Sequence, residues 1–434
     1  MTRKHRKSRV AEYVCVSQRD AVTEPVHKRL LPFLEARLLK VVDKVLYFIR
    51  QSFFKGGWSG EISTIQSVSK RTNRGGAMSI KAAVPCILIF FCFSLRIFAG
   101  VGEIVYVNGR LEISRNGEIL EDTELEIGFP IENYDIIRTG ADGELIVRLS
   151  APGVPQSEIH IAANTTFVVE LNRIKGRDNT TLGLLTGSLE LKVRKFAGNQ
   201  DFSVRTESAT MGVRGTEFQV QTSPASDLLV TCEEGEVVCY EEEGGTEVLA
   251  EPGAAVEKQS DEALKSIPVS VSDLRNFRAN WIAERIAAFK PNALRVVRFY
   301  AVRYNDLYAR FNTEYEALMG NVDVLRKWFQ EEKQGRVGSN MEILREKRRI
   351  AGHLFRIRRV LFIFERIYYR LLELHAYFQE GYGRGEIGDG LSATVFFNRL
   401  IAQRRDLALK VGRVRFIMKL YSKRNEGSVP LSES

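Results

Sequence analysis

Histidine, cysteine and closely spaced carboxylates are the side chains from which most protein chemistry is built, and in this chain they are scattered. The five histidines are His5, His27, His160, His353 and His375. No two stand at the i, i+4 spacing by which one helix face turns two imidazoles toward a zinc ion. His160 falls in a stretch that predicts a strand, and His353 and His375 in one that predicts a helix. A lone imidazole in such a setting is read as structural. The sequence has no G-x-S-x-G nucleophile elbow and no G-x-x-x-x-G-K-S phosphate loop. Carboxylates are plentiful in the middle of the chain, but no spacing singles out a pair for glycoside hydrolysis. The expectation is a protein that is not an enzyme and holds neither metal nor cofactor.

Cysteine usage agrees. There are five, none at C-x-x-C spacing. Cys232 and Cys239 flank Cys-Glu-Glu-Gly-Glu-Val-Val-Cys. If Glu234-Gly235 turns a hairpin there, Cys232 faces Val237 and Cys239 faces Val230. The sulfurs are then diagonal neighbours, about 7–8 Å apart at the backbone, which is long for a disulfide. Two space-filling thiols are expected. The one side chain that invites a specific role is Arg214, between Gly212 and Gly215. A guanidinium freed by flanking glycines reaches several carbonyls and a carboxylate with its fixed fork of donors, with Glu217 as a partner. Two readings stand: a buried staple holding a loop to a sheet, or a site for an anion. Burial of a charge demands satisfied partners, which favours the staple.

The elements that would position these residues follow from periodicity. Glu144–Leu149, Ser188–Val193 and Glu217–Gln221 alternate apolar and polar with period two, as half-buried strands do. Turn pairs recur between such runs: Asn108-Gly109, Asn116-Gly117, Asp142-Gly143, Thr186-Gly187, Glu234-Gly235 and Gly244-Gly245. An all-β domain of short strands is predicted over 101–260, an elongated sandwich or solenoid. After Pro268 the period becomes helical. Ser272 or Asp273 caps a helix expected to run to Lys290 and to break at Pro291.

A seam at heptad spacing follows, from Leu294 through Val297, Tyr304, Phe311, Leu318 and Val322 to Phe329, with Gly320-Asn321 as a kink. A second runs from Ile343 through Ile357 and Phe364 to Phe378, and a third from Phe397 through Leu407 and Val414 to Tyr421. Over 270–424 this predicts an antiparallel bundle of three long helices and one shorter one, a rod of roughly 45–60 Å at 1.5 Å per residue. Residues 425–434 are expected to be a disordered tail.

Charge divides the 434 residues in the same places. The net charge is +10 over 1–77, −13 over 78–260 and +12 over 261–434. An acidic middle between basic ends implies separate partners, a middle and tail that attract each other, or merely solvated surface. Residues 78–100 read as a signal peptide or membrane anchor: Lys81, then about 14 apolar or small residues, then a cleavage position after Ala99. Met78 stands where such a segment would begin. Residues 1–77 are then either an upstream extension or a cytoplasmic segment held inside by its positive charge.

The stretch Phe202–Phe218, FSVRTESATMGVRGTEF, resembles the signature of the FecR domain, in which an f-x-V-x-T strand leads to V-R-G-T-x-F. Its residues here are Arg205, Thr206, Gly212, Val213, Arg214, Gly215, Thr216, Glu217 and Phe218. Upstream YDIIRTGADGELIVRL, IHIAANTTF and LLTGSLELKV resemble that domain's earlier elements, and EEGEVV its E-G-x-V hairpin, in the right order over about 150 residues. Three departures stand out. Tyr134 replaces a Gly, Glu207 replaces a Pro, and Ala-Pro-Gly-Val-Pro-Gln-Ser at 151–157 replaces an Asp-Gly-Ser turn.

The resemblance implies an extracytoplasmic domain, in a protein that is periplasmic or anchored in the inner membrane. In FecR proteins such a domain relays a signal from an outer-membrane transporter to a sigma factor through a cytoplasmic N-terminal tail. The expected role is an envelope binding or scaffolding module in which the helical rod positions the β domain. The alternative is a transmembrane signalling regulator of the anti-sigma type. Expected partners are an envelope protein or polymer, and the membrane surface through the basic helical tail. Export disfavours nucleic acid.

Overall fold

The computed structural model describes residues 100–430, apart from 122–123, 197, 199, 242–244, 260–261 and 389. The readings of residues 1–77 and of the apolar run before Gly100 lie outside the described residues, as does part of the Gly244-Gly245 turn.

Where the sequence alternates, strands form, and the chain visits two sheets in turn. β1 (Gly102–Asn108) lies in the first sheet, β2 (Leu111–Arg115) and β3 (Glu118–Glu121) in the second. β4 (Pro130–Ile131) returns to the first and β5 (Ile136–Thr139) to the second. β6 (Glu144–Leu149) and β7 (Ser157–Ile161) follow in the first, then β8 (Thr166–Ile174) and β9 (Arg177–Thr186) in the second. β10 (Ser188–Val193) is in the first, β11 (Gln200–Arg205) and β12 (Ala209–Val213) in the second. β13 (Glu217–Thr222) and β14 (Leu228–Glu234) are in the first, β15 (Val237–Glu241) and β16 (Glu247–Ala250) in the second, β17 (Ala254–Lys258) and β18 (Lys265–Pro268) in the first.

Strand order in both sheets nearly follows chain order. This is the solenoid-like sandwich the turn spacing predicts. Neighbours are antiparallel except β9 and β11, which run parallel. Between the sheets lie Ile104, Val147, Ile159, Phe167, Leu191, Phe218 and Val220, all fully buried. Each such side chain contributes roughly 1.5–3 kcal/mol. At Asn116-Gly117 both residues are left-handed (φ 53° and 86°), the conformation that suits the twist of a tight hairpin.

Glu234-Gly235 behaves otherwise, and the hairpin expected there is corrected. β14 and β15 belong to different sheets, so the turn is a corner that carries the chain across the core. Cys232 faces Phe218, and Cys239 faces Met211 and Val248. Both thiols are free and buried. Burial pushes them up, to about 11 for Cys232 and about 12 for Cys239.

The helical half consists of α1 (Leu274–Met319), α2 (Val322–Lys333), α3 (Asn340–Gln379) and α4 (Ala393–Lys423). α1 does not break at Pro291. Buried Phe289 and Ala293 pack the helix on both sides of the proline, which outweighs the one backbone bond it removes. Gly320 ends α1 rather than kinking it, and Val322 consequently leaves the seam and is exposed. α3 lies antiparallel to α1 and to α4: Phe311 stacks on Phe364 at 4.8 Å, Phe289 meets Tyr377, and Phe378 meets Phe397. A two-stranded ribbon, β19 (Glu386–Gly388) and β20 (Leu391–Ser392), joins α3 to α4.

The bundle is not a free rod. Its core includes Tyr134, Ile136, Val168 and Leu185 from the outer face of the second sheet. The expected disordered tail is also corrected over residues 425–430. Ser428 donates to the Arg173 carbonyl (2.7 Å), Arg173 N–H to the Gly427 carbonyl, and Arg358 to the Pro430 carbonyl.

Candidate functional site

The signature residues build the corner at which the chain passes from the second sheet to the first. Arg205 ends β11. Its guanidinium lies 5.1 Å from the ring of Phe362 on α3. Thr206 is buried and closes a tight turn, its Oγ1 accepting from Ala209 N–H and donating to the Ala209 carbonyl. Gly212 and Val213 complete β12. Gly215 is left-handed (φ 70°), and a Cβ there would stand 2.2 Å from Lys195. Thr216 and Phe218 are buried. The second corner, at Gly235, leans on the first: a Cβ at Gly235 would meet Thr216 at 2.8 Å.

Arg214 does not staple this corner, because its side chain is exposed. Glu217 instead pairs with Lys192 across the sheet at 2.7 Å. The corner is shaped by left-handed Gly215 and closed by buried Thr216 and Phe218.

Beside the corner the outer face of the first sheet stays open along β10 and β13, while Trp281 of α1 packs on Leu229 of β14 and Ala255 of β17. Glu217, Gln219 and Gln221 of β13, with Glu190 of β10 and Glu233 of β14, line a groove of about 940 Å³ roofed by residues 271–279. Arg278 enters it from α1, donating to Thr231 Oγ1 (2.7 Å) and Glu233 (2.8 Å). The groove can take an extended, hydrogen-bonding, cationic segment. Among the described residues no cluster of three or more His, Cys, Asp or Glu could hold a metal ion.

The outer face of the second sheet is covered, and here the opposite charges of the two halves meet. Arg415 of α4 bridges Glu170 of β8 (2.9 Å) and Glu365 of α3 (2.7 Å from Nε), and all three are largely buried. Burial works against the charge of Arg415, but its two carboxylates hold the proton more firmly than usual. Burial likewise acts to raise Glu170, yet Arg415 and Arg358 together hold it below the ordinary carboxylate range. Arg404 pairs with Glu112 at 2.5 Å, and Lys419 with Glu132. The close approach is tightest at Gly412, where a Cβ would stand 2.6 Å from the Gly117 Cα at the tip of the β2–β3 hairpin.

Two departures from the FecR pattern lie in this covered interface. Tyr134, in place of a Gly, is left-handed (φ 70°), a strained conformation for an aromatic residue. Its side chain is buried, its hydroxyl donates to Asn172 Oδ1 (2.7 Å), and Arg415 lies 6.0 Å from its ring. Glu207, in place of a Pro, accepts from Ser226 Oγ (2.6 Å) and from Tyr300 of α1 (3.1 Å). The conformation Gly would supply freely is kept, and the side chain added there reaches the helices.

Residues 135–238 match the family model described as FecR protein. That segment is roughly a quarter of the chain and contains the signature corner, the open groove's strands and Glu170. No curated protein matches. Two crystal structures of a candidate anti-sigma factor from Parabacteroides distasonis ATCC 8503 align at TM-score 0.27, with 17% and 16% identity. The alignments cover 32% and 33% of this chain and 62% and 63% of theirs, so this chain spans less than two thirds of those structures.

Sequence reasoning allowed a middle and tail that attract each other but did not identify which sheet face the tail covers. Its signal was present: Ile136-Ile137, Phe167-Val168-Val169 and Leu184-Leu185 are continuous apolar runs, as strands buried on both faces show.

Proposed function

We propose that this chain is a regulator of the bacterial cell envelope, in which a FecR-type β domain outside the cytoplasm binds a partner and governs a signalling output. It is read as a regulatory protein with no catalytic activity. The observation that carries the reading is the FecR segment at 135–238, folded around its signature corner. The groove beside that corner is the favoured place for the partner, since Glu190, Glu217, Gln219 and Gln221 line it with polar side chains. The expected role of a scaffold whose helical rod positions the β domain loses support, because the helices lie on the β domain. The apolar run before Gly100 is read as the export signal or anchor; among the described residues no helix is long and apolar enough to cross a membrane.

The test is deletion of the gene with transcript profiling, paired with mass spectrometry of the native N-terminus. A regulator that signals through residues 1–77 retains them and changes the expression of one sigma-factor regulon when lost. A mature chain starting near Gly100, with unchanged transcription, would reject signalling through that segment.

A further inference from the structure

The N-terminal half of α3 presents a face that neither the bundle nor the β domain covers. Met341, Leu344, Arg345, Arg348, Phe355 and Arg359 fall within about 60° of one line along the helix at 100° per residue. The opposite side carries the buried seam residues Ile350, Leu354 and Ile357. Met341 is 76% exposed and Leu344 46%, and the two stand one turn apart on this face among charged residues.

The charges of this face have one sign. The acidic residues of this part of the helix point elsewhere: Glu342 and Glu346 meet Lys327 of α2. The neighbouring arginines are engaged at the flanks, Arg349 with Asp323, Arg356 with Glu314 and Arg358 with Glu170. Arg345, Arg348 and Arg359 have no carboxylate partner among the described residues; Arg359 rests 5.9 Å from the Phe355 ring. The stripe from Met341 to Arg359 is about 27 Å long at 1.5 Å per residue.

We propose that this face docks on an anionic lipid surface. Met341 and Leu344 would enter the headgroup–acyl boundary, while Arg345, Arg348 and Arg359 lie along phosphate groups, with stems in the apolar layer and heads in the polar one. Charge complementarity selects a polyanion, and the exposed apolar side chains select a bilayer over a soluble polymer, which offers them nothing. In sequence, the apolar run ending at Ala99 joins the β domain directly, so a chain that keeps it is tethered where such a surface is within reach. The inference goes beyond the signalling proposal and does not depend on it.

The test uses the full chain carrying Met341→Trp, mixed with phosphatidylcholine vesicles with or without phosphatidylglycerol, the acyl chains brominated. The readout is local to α3, so an anchor elsewhere does not imitate it. The expected result is tryptophan quenching, above that of the parent chain, in anionic vesicles only. Charge reversal at Arg345, Arg348 and Arg359 is expected to weaken vesicle binding, read from that quenching, by more than about fivefold per residue, because each removes a positive charge and adds a negative one, with an unchanged melting temperature because all three are exposed. If the triple variant fails to fold, Arg348→Glu alone and the loss of quenching in high salt make the same decision. Quenching that is absent, equal in neutral vesicles or indifferent to the arginines overturns the proposal. So does tight binding to a soluble polyanion combined with no quenching, which would assign the face to a wall polymer.

Discussion

The two sheets of the β domain are built alike and end differently. Both are nine-stranded, and both turn alternate side chains into one shared core. The outer face of the first carries Glu190, Glu217, Gln219 and Gln221 and lies open along β10 and β13. The outer face of the second carries Tyr134, Ile136, Val168 and Leu185 and is buried beneath the helices. A sheet needs only one apolar face to fold into a sandwich. The second apolar face is what commits this domain to carrying a helical layer, and the open face is what leaves it a surface for a partner.

The sharpest way to break the contrast is Arg415→Ala. It leaves Glu170 and Glu365 buried without their partner, and stability is expected to fall by about 3–5 kcal/mol. Chemical denaturation reads the loss, and amide exchange should show β8 and β9 losing protection while β10 and β13 keep theirs. Next is Gly412→Ala, which places a methyl against the Gly117 backbone. It is expected to cost about 1–3 kcal/mol through overpacking, and to expose the tip of the β2–β3 hairpin to protease. An alanine that leaves both measurements unchanged would show that the helix does not seat there.

Acid sharpens the comparison in a different way. The folded Glu170 and Glu132 are held below their unfolded values. Burial opposes this in both; Arg415 and Arg358 outweigh it at Glu170, and Lys419 and Arg115 at Glu132. Their stabilising contribution is therefore complete above the ordinary carboxylate range and disappears as pH falls through their lowered values. Exchange protection of β5 and β8 is expected to persist down to about pH 5 and to drop below it, ahead of that of the shared core. The smallest effect is expected on the open face. Glu217→Gln removes only an exposed pair with Lys192, so the melting temperature should stay unchanged while binding of a groove partner weakens; a marked drop in stability would mean that this face, too, is structural.

Much of this was legible in the residues. Strands β6, β10 and β13 stand where alternation places them, because period two has one solution when one face is buried. The three heptad seams became largely buried helix faces, Val322 excepted, because a helix buries one stripe. The hairpin at Glu234-Gly235 was misread because a turn pair fixes local backbone but not which sheet receives the next strand. The break at Pro291 was misread because local propensity costs less than the packing of Phe289 and Ala293 returns. Arg214 was assigned a burial that its flanking glycines do not create.

The sequence by itself determined the element types, their order and an acidic middle between basic ends, since these depend on neighbours a few residues apart. Only the tertiary structure decided that the basic helices close on one acidic sheet face and cover the other only along β14 and β17, where Trp281 packs on Leu229 and Ala255. Glu170 and Arg415 are separated by most of the chain, and no periodicity in one announces the other. What joins them is the cost of burying either charge alone.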